Sequence, residues 1–236
     1  MLQTADIFTL NDSAQVLHSA APRANIVVFG GLRSQGGYSI PAFEFVHTLR
    51  ELSYNVLFVK DETRRWYNFG LKGFSDDMED TASSIRDAVV GHFDDDLPLV
   101  TLGNSMGGYA AIFFGERLNA HYVLSLVPQT VISVEARLRL NDKRWHDDFA
   151  GFKPRHADLR HVMRGGARKT QIVVGSDCIP DVIQAGNVAG ARGVHIDVVP
   201  GAGHDVTRVW KEKNVLLDKI AGYLGDNTVL TPDLID

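Results

Sequence analysis

The amino-acid sequence predicts an α/β protein with a mostly parallel central sheet and helices on both faces. Short apolar runs rich in β-branched residues alternate along the chain with segments whose apolar residues recur at helical spacing. The chain has 236 residues, 44% of them hydrophobic and 22% charged, which suits one domain with a large core. We therefore expect a single domain over residues 1–236, with a small lid-like insertion at about 129–169.

The predicted elements begin with an antiparallel edge hairpin, Ile7–Leu10 and Gln15–His18, around a turn signal at Asn11–Ser13. Buried strands are then predicted at Asn25–Phe29, at Tyr54–Val59, from Leu99, at Tyr122–Val127, at Gln171–Val174 and at Val194–Val199. Helices are predicted over Pro41–Leu52, from a cap at Ser75 or Asp76 to about His92, after Ser105 through Phe114, after Pro180 and, as one helix, over Val206–Leu224. Residues 129–169 lack a long period and are expected to form short helices.

Charge, hydropathy and cysteine content argue against several classes of protein. The net charge of −5 disfavours a general nucleic-acid binder, and no apolar run approaches the ~20 residues of a membrane helix. The start of the chain lacks the basic and apolar regions of a secretory signal. Cys178 is the one cysteine, so no intrachain disulfide is possible, which fits a reducing compartment. We expect a cytoplasmic protein without membrane insertion or nucleic-acid partners, and the sequence does not indicate its oligomeric state.

A serine between two glycines is the strongest motif of the chain. The segment Gly103-Asn104-Ser105-Met106-Gly107 matches G-x-S-x-G, the nucleophile elbow, and it lies between a strand pattern and a helix pattern. In so sharp a turn, a Cβ two residues before or after the serine would collide with the crossing backbone. The serine then points out of the carboxyl end of the strand, close to the positive N-terminus of the next helix.

The same pattern fits a plain strand–loop–helix turn, in which the glycines serve packing and the serine caps the helix. An acid and a histidine after later strands would decide between the two interpretations. Asp177 follows the strand at Gln171–Val174, and His204 follows the strand at Val194–Val199. Since ligands of parallel sheets bind beyond the carboxyl ends of the strands, we expect both residues near Ser105.

The order Ser105, Asp177, His204 resembles the α/β-hydrolase superfamily, and the resemblance covers nearly the whole chain from the Asn25 strand onward. It implies the α/β-hydrolase fold and a triad with Ser105 as nucleophile, His204 as general base and acid, and Asp177 as the orienting acid. Asp181 is the competing carboxylate. We favour Asp177 because it lies at the strand end, whereas Asp181, just after Pro180, is better placed to favour a helix N-terminus.

Main-chain N–H groups are expected to form an oxyanion hole. The resemblance implies a donor in the loop Phe29–Leu32, although the family's histidine is absent there. We predict Met106 as the firmer donor and Leu32, or else Gly31, as the second. Arg33 in the glycine-rich loop and Gln129 after the strand at Tyr122–Val127 are expected to contact the substrate.

These residues predict a serine hydrolase that acts on a small-molecule ester or thioester through an acyl-serine intermediate. An acyltransferase with the same triad and a non-catalytic binding protein of this fold are the alternatives. We expect no cofactor and no metal, since the glycine loop is not G-x-G-x-x-G and His146 lacks partners at metal-ligand spacing. Ten basic against four acidic residues in 137–169, a net charge of +6, indicate either an anionic or carrier-linked acyl donor or simply a solvated helical face.

Overall fold

The structure, a computed structural model, describes residues 6–32, 43–149 and 151–225, and it centres on a sheet of eight strands. The strands are β1 (Asp6–Asn11), β2 (Ala14–His18), β3 (Asn25–Phe29), β4 (Asn55–Val59), β5 (Leu99–Asn104), β6 (Tyr122–Leu126), β7 (Thr170–Gly175) and β8 (Val194–Val199). Their order in the sheet is β1-β2-β4-β3-β5-β6-β7-β8. β2 is antiparallel to β1 and β4, and all the other pairs are parallel. The predicted mostly parallel sheet with an antiparallel edge hairpin is confirmed.

Helices connect the parallel strands. They are α1 (Val46–Leu49), α2 (Met78–His92), α3 (Met106–Arg117), α4 (Val134–Arg139), α5 (His146–Phe149), α6 (Ile179–Gly186), α7 (Val206–Glu212) and α8 (Leu216–Gly225), with a 3₁₀ turn at Leu159–His161. The short helices α4 and α5 and the 3₁₀ turn lie in the segment 129–169, as the sequence predicts. In the described ranges, no helix combines the length and apolar character that a membrane crossing requires.

Three helix predictions differ from the structure. The cap of α2 is Asp77 rather than Ser75 or Asp76, because the Asp77 carboxylate accepts a hydrogen bond from the Asp80 N–H at 2.8 Å. The C-terminal amphipathic segment is two helices, since Asn214 adopts a left-handed φ of 55° just after α7 and ends it. Of the helix predicted over Pro41–Leu52, the described residues form only α1, and residues 41 and 42 lie outside the described ranges.

The core consists of two apolar layers, one on each face of the sheet. Residues of α2 and α3 pack on one face, where Ile85 and Phe113 are fully buried. Residues of α1, α7 and α8 pack on the other face, where Leu49 and Ile220 are fully buried. Burial on both faces explains why β3 to β6 read as continuous apolar runs. It also leaves the carboxyl ends of the parallel strands as the edge where loops meet.

The turn from β5 into α3 has no room for side chains at its two glycines. A Cβ on Gly103 would overlap the carbonyl of Gly107, and a Cβ on Gly107 would overlap the carbonyl of Phe29. The structure therefore confirms that glycine is required two residues before and two residues after Ser105. It brings the first turn of α3 against the end of β3.

Gly107 and Gly222 allow a matched test of this packing, because both lie within helices. We expect Gly107→Ala to lower the free energy of unfolding by about 3 kcal/mol or more, since the new methyl group overlaps the Phe29 carbonyl. Gly222 has no atom within 4 Å of an added Cβ, so Gly222→Ala should raise the free energy of unfolding by about 0.5–1 kcal/mol. Urea denaturation measures both changes, and a tolerated Gly107→Ala would contradict the close approach.

Candidate active site

Ser105 lies at the carboxyl end of β5, in a backbone conformation that residues other than glycine rarely adopt. Its φ is 57° and its ψ is −116°, and its N–H donates to the carbonyl of Leu126 at 2.8 Å. The residue is 8% exposed, so its hydroxyl lies in a nearly closed site. A strained serine at the start of a helix is the geometry of a nucleophile elbow.

His204 lies in the loop between β8 and α7, and its Nε2 is 2.9 Å from the Ser105 Oγ. This loop crosses tightly over the end of β7, because a Cβ on Gly175 would overlap the carbonyls of Ala202 and Gly203. The Gly201 N–H also donates to the Ser176 Oγ at 2.8 Å. The end of β7 thereby fixes the imidazole above the sheet edge.

Asp181, not Asp177, is the carboxylate at His204. The Asp181 Oδ2 lies 2.7 Å from the His204 Nδ1, and the Asp181 side chain is fully buried. Asp177 is exposed and accepts from its neighbour Ser176 at 2.7 Å. The expectation that Asp177 approaches the imidazole and Asp181 does not is therefore wrong.

The physical reason lies in α6, which begins two residues after Asp177. Asp181 is on the first turn of this helix, and with Gln184 and Ala185 it forms the face that is buried against the sheet. Spacings of three and four residues are those of one helix face. This periodicity was the signal in the sequence that singles out Asp181.

Burial by itself raises the pKa of Asp181, but hydrogen bonds and charges from His204 and Arg144 outweigh it and hold the pKa below its usual range. Arg144 comes from the segment 129–169, and its Nη1 is 2.8 Å from the Asp181 Oδ1. The two carboxylate oxygens therefore have different partners: one accepts from the guanidinium and the other from the imidazole. Sequence reasoning missed this cation.

Gln129 is fully buried and lies directly beside Ser105. The Trp66 Nε1 is 3.1 Å from the Gln129 Oε1, and the Gln129 Nε2 is 3.3 Å from the Ser105 Oγ. Because an indole N–H can only donate, its partner must be the amide oxygen, so the NH₂ group faces Ser105. The Ser105 oxygen accepts from this amide, which leaves its own proton for His204.

The three predicted oxyanion donors have different surroundings. Met106 is the first residue of α3, so its N–H has no acceptor within the helix. This N–H lies at the end of the helix next to Ser105. The Gly31 N–H donates to the Glu44 Oε2 at 2.9 Å, so it points at this carboxylate and the expectation for Gly31 is wrong in this conformation. Leu32 is the last described residue of the loop, and Arg33 lies outside the described residues.

Glu44 is a carboxyl group beside Gly31 that the sequence analysis did not single out. Its Oε1 accepts from the Asn104 Nδ2 at 2.7 Å, so it bridges the residue before Ser105 and Gly31. Burial raises the pKa of Glu44, against the opposing effect of these two hydrogen bonds. Among the described residues, no group of three or more His, Cys, Asp or Glu side chains is arranged to hold a metal ion.

Because Asp181 is buried and Asp177 is exposed, we expect their asparagine variants to differ in stability. Asp181→Asn should lower the free energy of unfolding by about 1.5–3 kcal/mol, because an amide offers one acceptor oxygen to two charged or ring donors. The matched variant Asp177→Asn changes an exposed side chain and should cost less than about 0.5 kcal/mol. Urea denaturation near pH 7 measures both, and equal losses would contradict the burial of Asp181.

The stability that Asp181 contributes should depend on pH. The pKa of Asp181 is lower in the folded protein than its unfolded value, so its stabilisation is complete above that unfolded value, about 3.9, and is lost as the pH falls through the folded one. The stability difference between the wild type and Asp181→Asn should therefore shrink below about pH 4.

No protein-family model and no curated protein matches the sequence. The chain is similar in structure to the capsule O-acetyltransferase of Neisseria meningitidis serogroup A in complex with CoA, with a TM-score of 0.65, 15% identity and 94% of each chain covered. A hormone-sensitive lipase from a metagenome library gives a TM-score of 0.63 at 16% identity, covering 95% of this chain and 87% of the lipase. An S-formylglutathione hydrolase from Agrobacterium tumefaciens gives a TM-score of 0.59 at 12% identity, covering 94% of this chain and 95% of the hydrolase. Together with the strand order, these likenesses show that the chain has the α/β-hydrolase fold.

Proposed function

We propose that the protein is a serine hydrolase that cleaves a carboxylic ester or thioester through an acyl-serine intermediate. The observation that carries this proposal is the hydrogen-bonded chain from the Ser105 Oγ through His204 to Asp181, with distances of 2.9 and 2.7 Å. Three side chains from three separate segments meet there in the geometry that activates a serine hydroxyl. The lipase and hydrolase likenesses support an enzyme of this type.

In the proposed reaction the ring nitrogen at Ser105 is the base. The His204 Nδ1–H donates to the ionised Asp181, so the Nε2 carries the lone pair that accepts the serine proton. The Ser105 Oγ attacks the acyl carbon, and the carbonyl π electrons move onto its oxygen. The oxyanion then collapses, and the bond between the acyl carbon and the leaving group breaks as His204 gives its proton to the leaving group, which leaves the acyl-serine. Water, deprotonated by His204, next attacks the acyl carbon, and the bond to the Ser105 Oγ breaks as His204 returns the proton to the serine, so that the acid is released.

The developing oxyanion is stabilised by main-chain donors. Met106 supplies one N–H, assisted by the positive end of α3, and Leu32 is proposed as the second. Loss of one such donor typically costs about 10²–10³ in rate. Gln129 acts on the nucleophile itself, since its NH₂ group donates to the Ser105 Oγ and directs the hydroxyl proton toward His204.

An anionic or carrier-linked acyl donor stays a prediction. It depends on the positive charge of residues 137–169, and part of that charge is paired with carboxylates of the protein. Of the ten basic residues in 137–169, Arg137 and Arg144 are paired with the buried Asp142 and Asp181. Arg155 is paired with Asp77, and Arg160 with Asp158. These charges are balanced within the protein. The segment's attraction for an anionic donor is therefore weaker than its net charge of +6 alone indicates.

Transfer to an alcohol instead of water is the second candidate. It is favoured by the likeness to an O-acetyltransferase over 94% of both chains. The same serine, histidine and aspartate serve either acceptor, so the acyl-serine is common to both reactions. A non-catalytic binding role is the remaining alternative.

A covalent probe tests the nucleophile. A fluorophosphonate should modify the wild-type protein at Ser105, and the phosphonylated residue is identified by mass spectrometry of the peptide. Ser105→Ala should abolish labelling and ester turnover while the far-UV circular dichroism stays unchanged. Ser83→Ala is the matched control, because this serine is exposed on α2 and should leave labelling intact. A wild-type protein that resists the probe and turns over no ester would support the binding role.

Product analysis separates hydrolysis from transfer. With p-nitrophenyl acetate and an excess of glycerol, we expect released acetate to equal released nitrophenol, as water is the proposed acceptor. An acetyltransferase would release more nitrophenol than acetate and form acetylated glycerol in the difference. Ser105→Ala provides the background rate for both measurements. Acetylated glycerol as the main product would replace the hydrolase by the transferase.

A further inference from the structure

Arg144 lies at the centre of a buried ion network behind the candidate triad. Its Nη1 is 2.8 Å from the Asp181 Oδ1 and 3.4 Å from the His204 Nδ1. Its Nε and Nη2 donate to the two oxygens of Asp142 at 2.9 and 3.0 Å. Arg137 completes the network with its Nη2 at 3.1 Å from Asp142.

The charges of this network balance without a proton on the imidazole. Two guanidinium groups, Arg137 and Arg144, face two carboxylates, Asp142 and Asp181, and both carboxylate side chains are fully buried. Asp142 and Asp181 raise the pKa of Arg144 against the lowering effect of burial, so its charge is permanent. A proton on His204 would therefore add an uncompensated positive charge next to Arg144.

Hydrogen bonds also fix the orientation of the Asp181 carboxylate and of the Arg144 guanidinium. The Asp181 carboxylate accepts from Arg144 on one oxygen and from His204 on the other, so rotation of the carboxylate would break both contacts. The guanidinium itself cannot turn, because Asp142 holds two of its nitrogens in a planar fork. The Trp145 ring covers the group, with the Arg144 Cζ 4.7 Å and the His204 ring 4.9 Å from its centroid.

We propose that Arg144 is a positioning residue for the reaction: it fixes Asp181 against His204, and its positive charge, 3.4 Å from the His204 Nδ1, opposes a second positive charge on the imidazole. This inference rests on the proposed function. Among the described residues, the titratable and charged groups that contact His204 are Asp181, Arg144 and the Ser105 hydroxyl. Its chain neighbour Asp205 is paired with Arg208. Behind them lie Cys178, 3.2 Å from Arg144, together with Asp142 and Arg137. Removal of the Arg144 charge leaves Asp181 to stabilise the imidazolium alone.

The test compares Arg144→Gln with Arg208→Gln, an exposed arginine of α7 that is paired with Asp205. For ester turnover, Arg144→Gln should lower kcat at least tenfold with KM within twofold, because it disturbs the base and not substrate contacts. The acidic limb of its kcat/KM profile should move to higher pH by about one unit, the size expected for a charge within 4–6 Å. Arg208→Gln should retain the wild-type kcat and profile. An unmoved acidic limb in a folded Arg144→Gln protein would overturn the proposal and leave a purely structural ion pair.

Two further variants keep a charge in the network and decide the question if Arg144→Gln fails to fold. Arg144→Lys should hold the acidic limb near its wild-type position but lower kcat, since one ammonium group cannot bridge two carboxylates as a planar fork does. Asp142→Asn removes a negative charge and should move the limb to lower pH. A shift of either variant to higher pH would overturn the proposal.

An NMR titration separates this inference from the proposed function. The ring C–H signals of His204, identified by their loss in His204→Gln, report protonation without any turnover. Their midpoint should rise in Arg144→Gln and stay unchanged in Arg208→Gln. If fluorophosphonate fails to label Ser105 while this midpoint still rises, the hydrolase is refuted and the effect of Arg144 on the imidazole stands. Labelling of Ser105 with an unchanged midpoint would refute the role of Arg144 alone.

Discussion

The close approach of three backbone segments at the turn around Ser105 is the constraint on which the rest of the site depends. Gly103 and Gly107 are required because a Cβ at either position would overlap a carbonyl. That contact fixes where α3 begins and how β5 lies between β3 and β6. Since β3 to β8 run parallel, the loops after them arrive at the same edge, and the side chains around Ser105 come from the ends of separate strands.

The Asp181 carboxylate extends this constraint to the segment between β6 and β7. One of its oxygens accepts from His204 of the last loop, and the other accepts from Arg144 of that segment. Removing either donor would leave a buried, partly unpaired charge, which is costly in a protein interior. The segment expected to act as a lid is thus bound through Arg144 to the same carboxylate that faces the imidazole. Some of the basic residues of this segment therefore pair with buried carboxylates behind the site.

Sequence reasoning succeeded where chemistry is local and failed where it depends on distant contacts. Apolar periodicity located the strands, and the glycine spacing located Ser105, because both reflect neighbours along the chain. The choice of Asp177 over Asp181 weighed proximity to the strand end and overlooked the helical spacing that buries Asp181. Arg144 lies 37 positions from Asp181 and 60 from His204, so no local pattern reveals that contact. The orientation of Gln129 likewise depends on Trp66, 63 positions away.

Among the described residues other than glycine, those with positive φ divide into two groups by residue type. Asn119, Asn141 and Asn214 each follow the cap of a helix, a position where asparagine adopts positive φ at little cost. The others are residues for which this conformation is unfavourable, at about 1–3 kcal/mol each, and they persist only where packing overrules the preference. Three of them contact residues of the candidate site: Trp66 and the carbonyl of Val127 hold Gln129 at Ser105, and the Trp145 ring lies against His204. Trp66 and Val127 are fully buried, so the core supplies the stability that this strain consumes. The members of this second group are Phe45, Arg64, Trp66, Tyr67, Ser105, Val127 and Trp145.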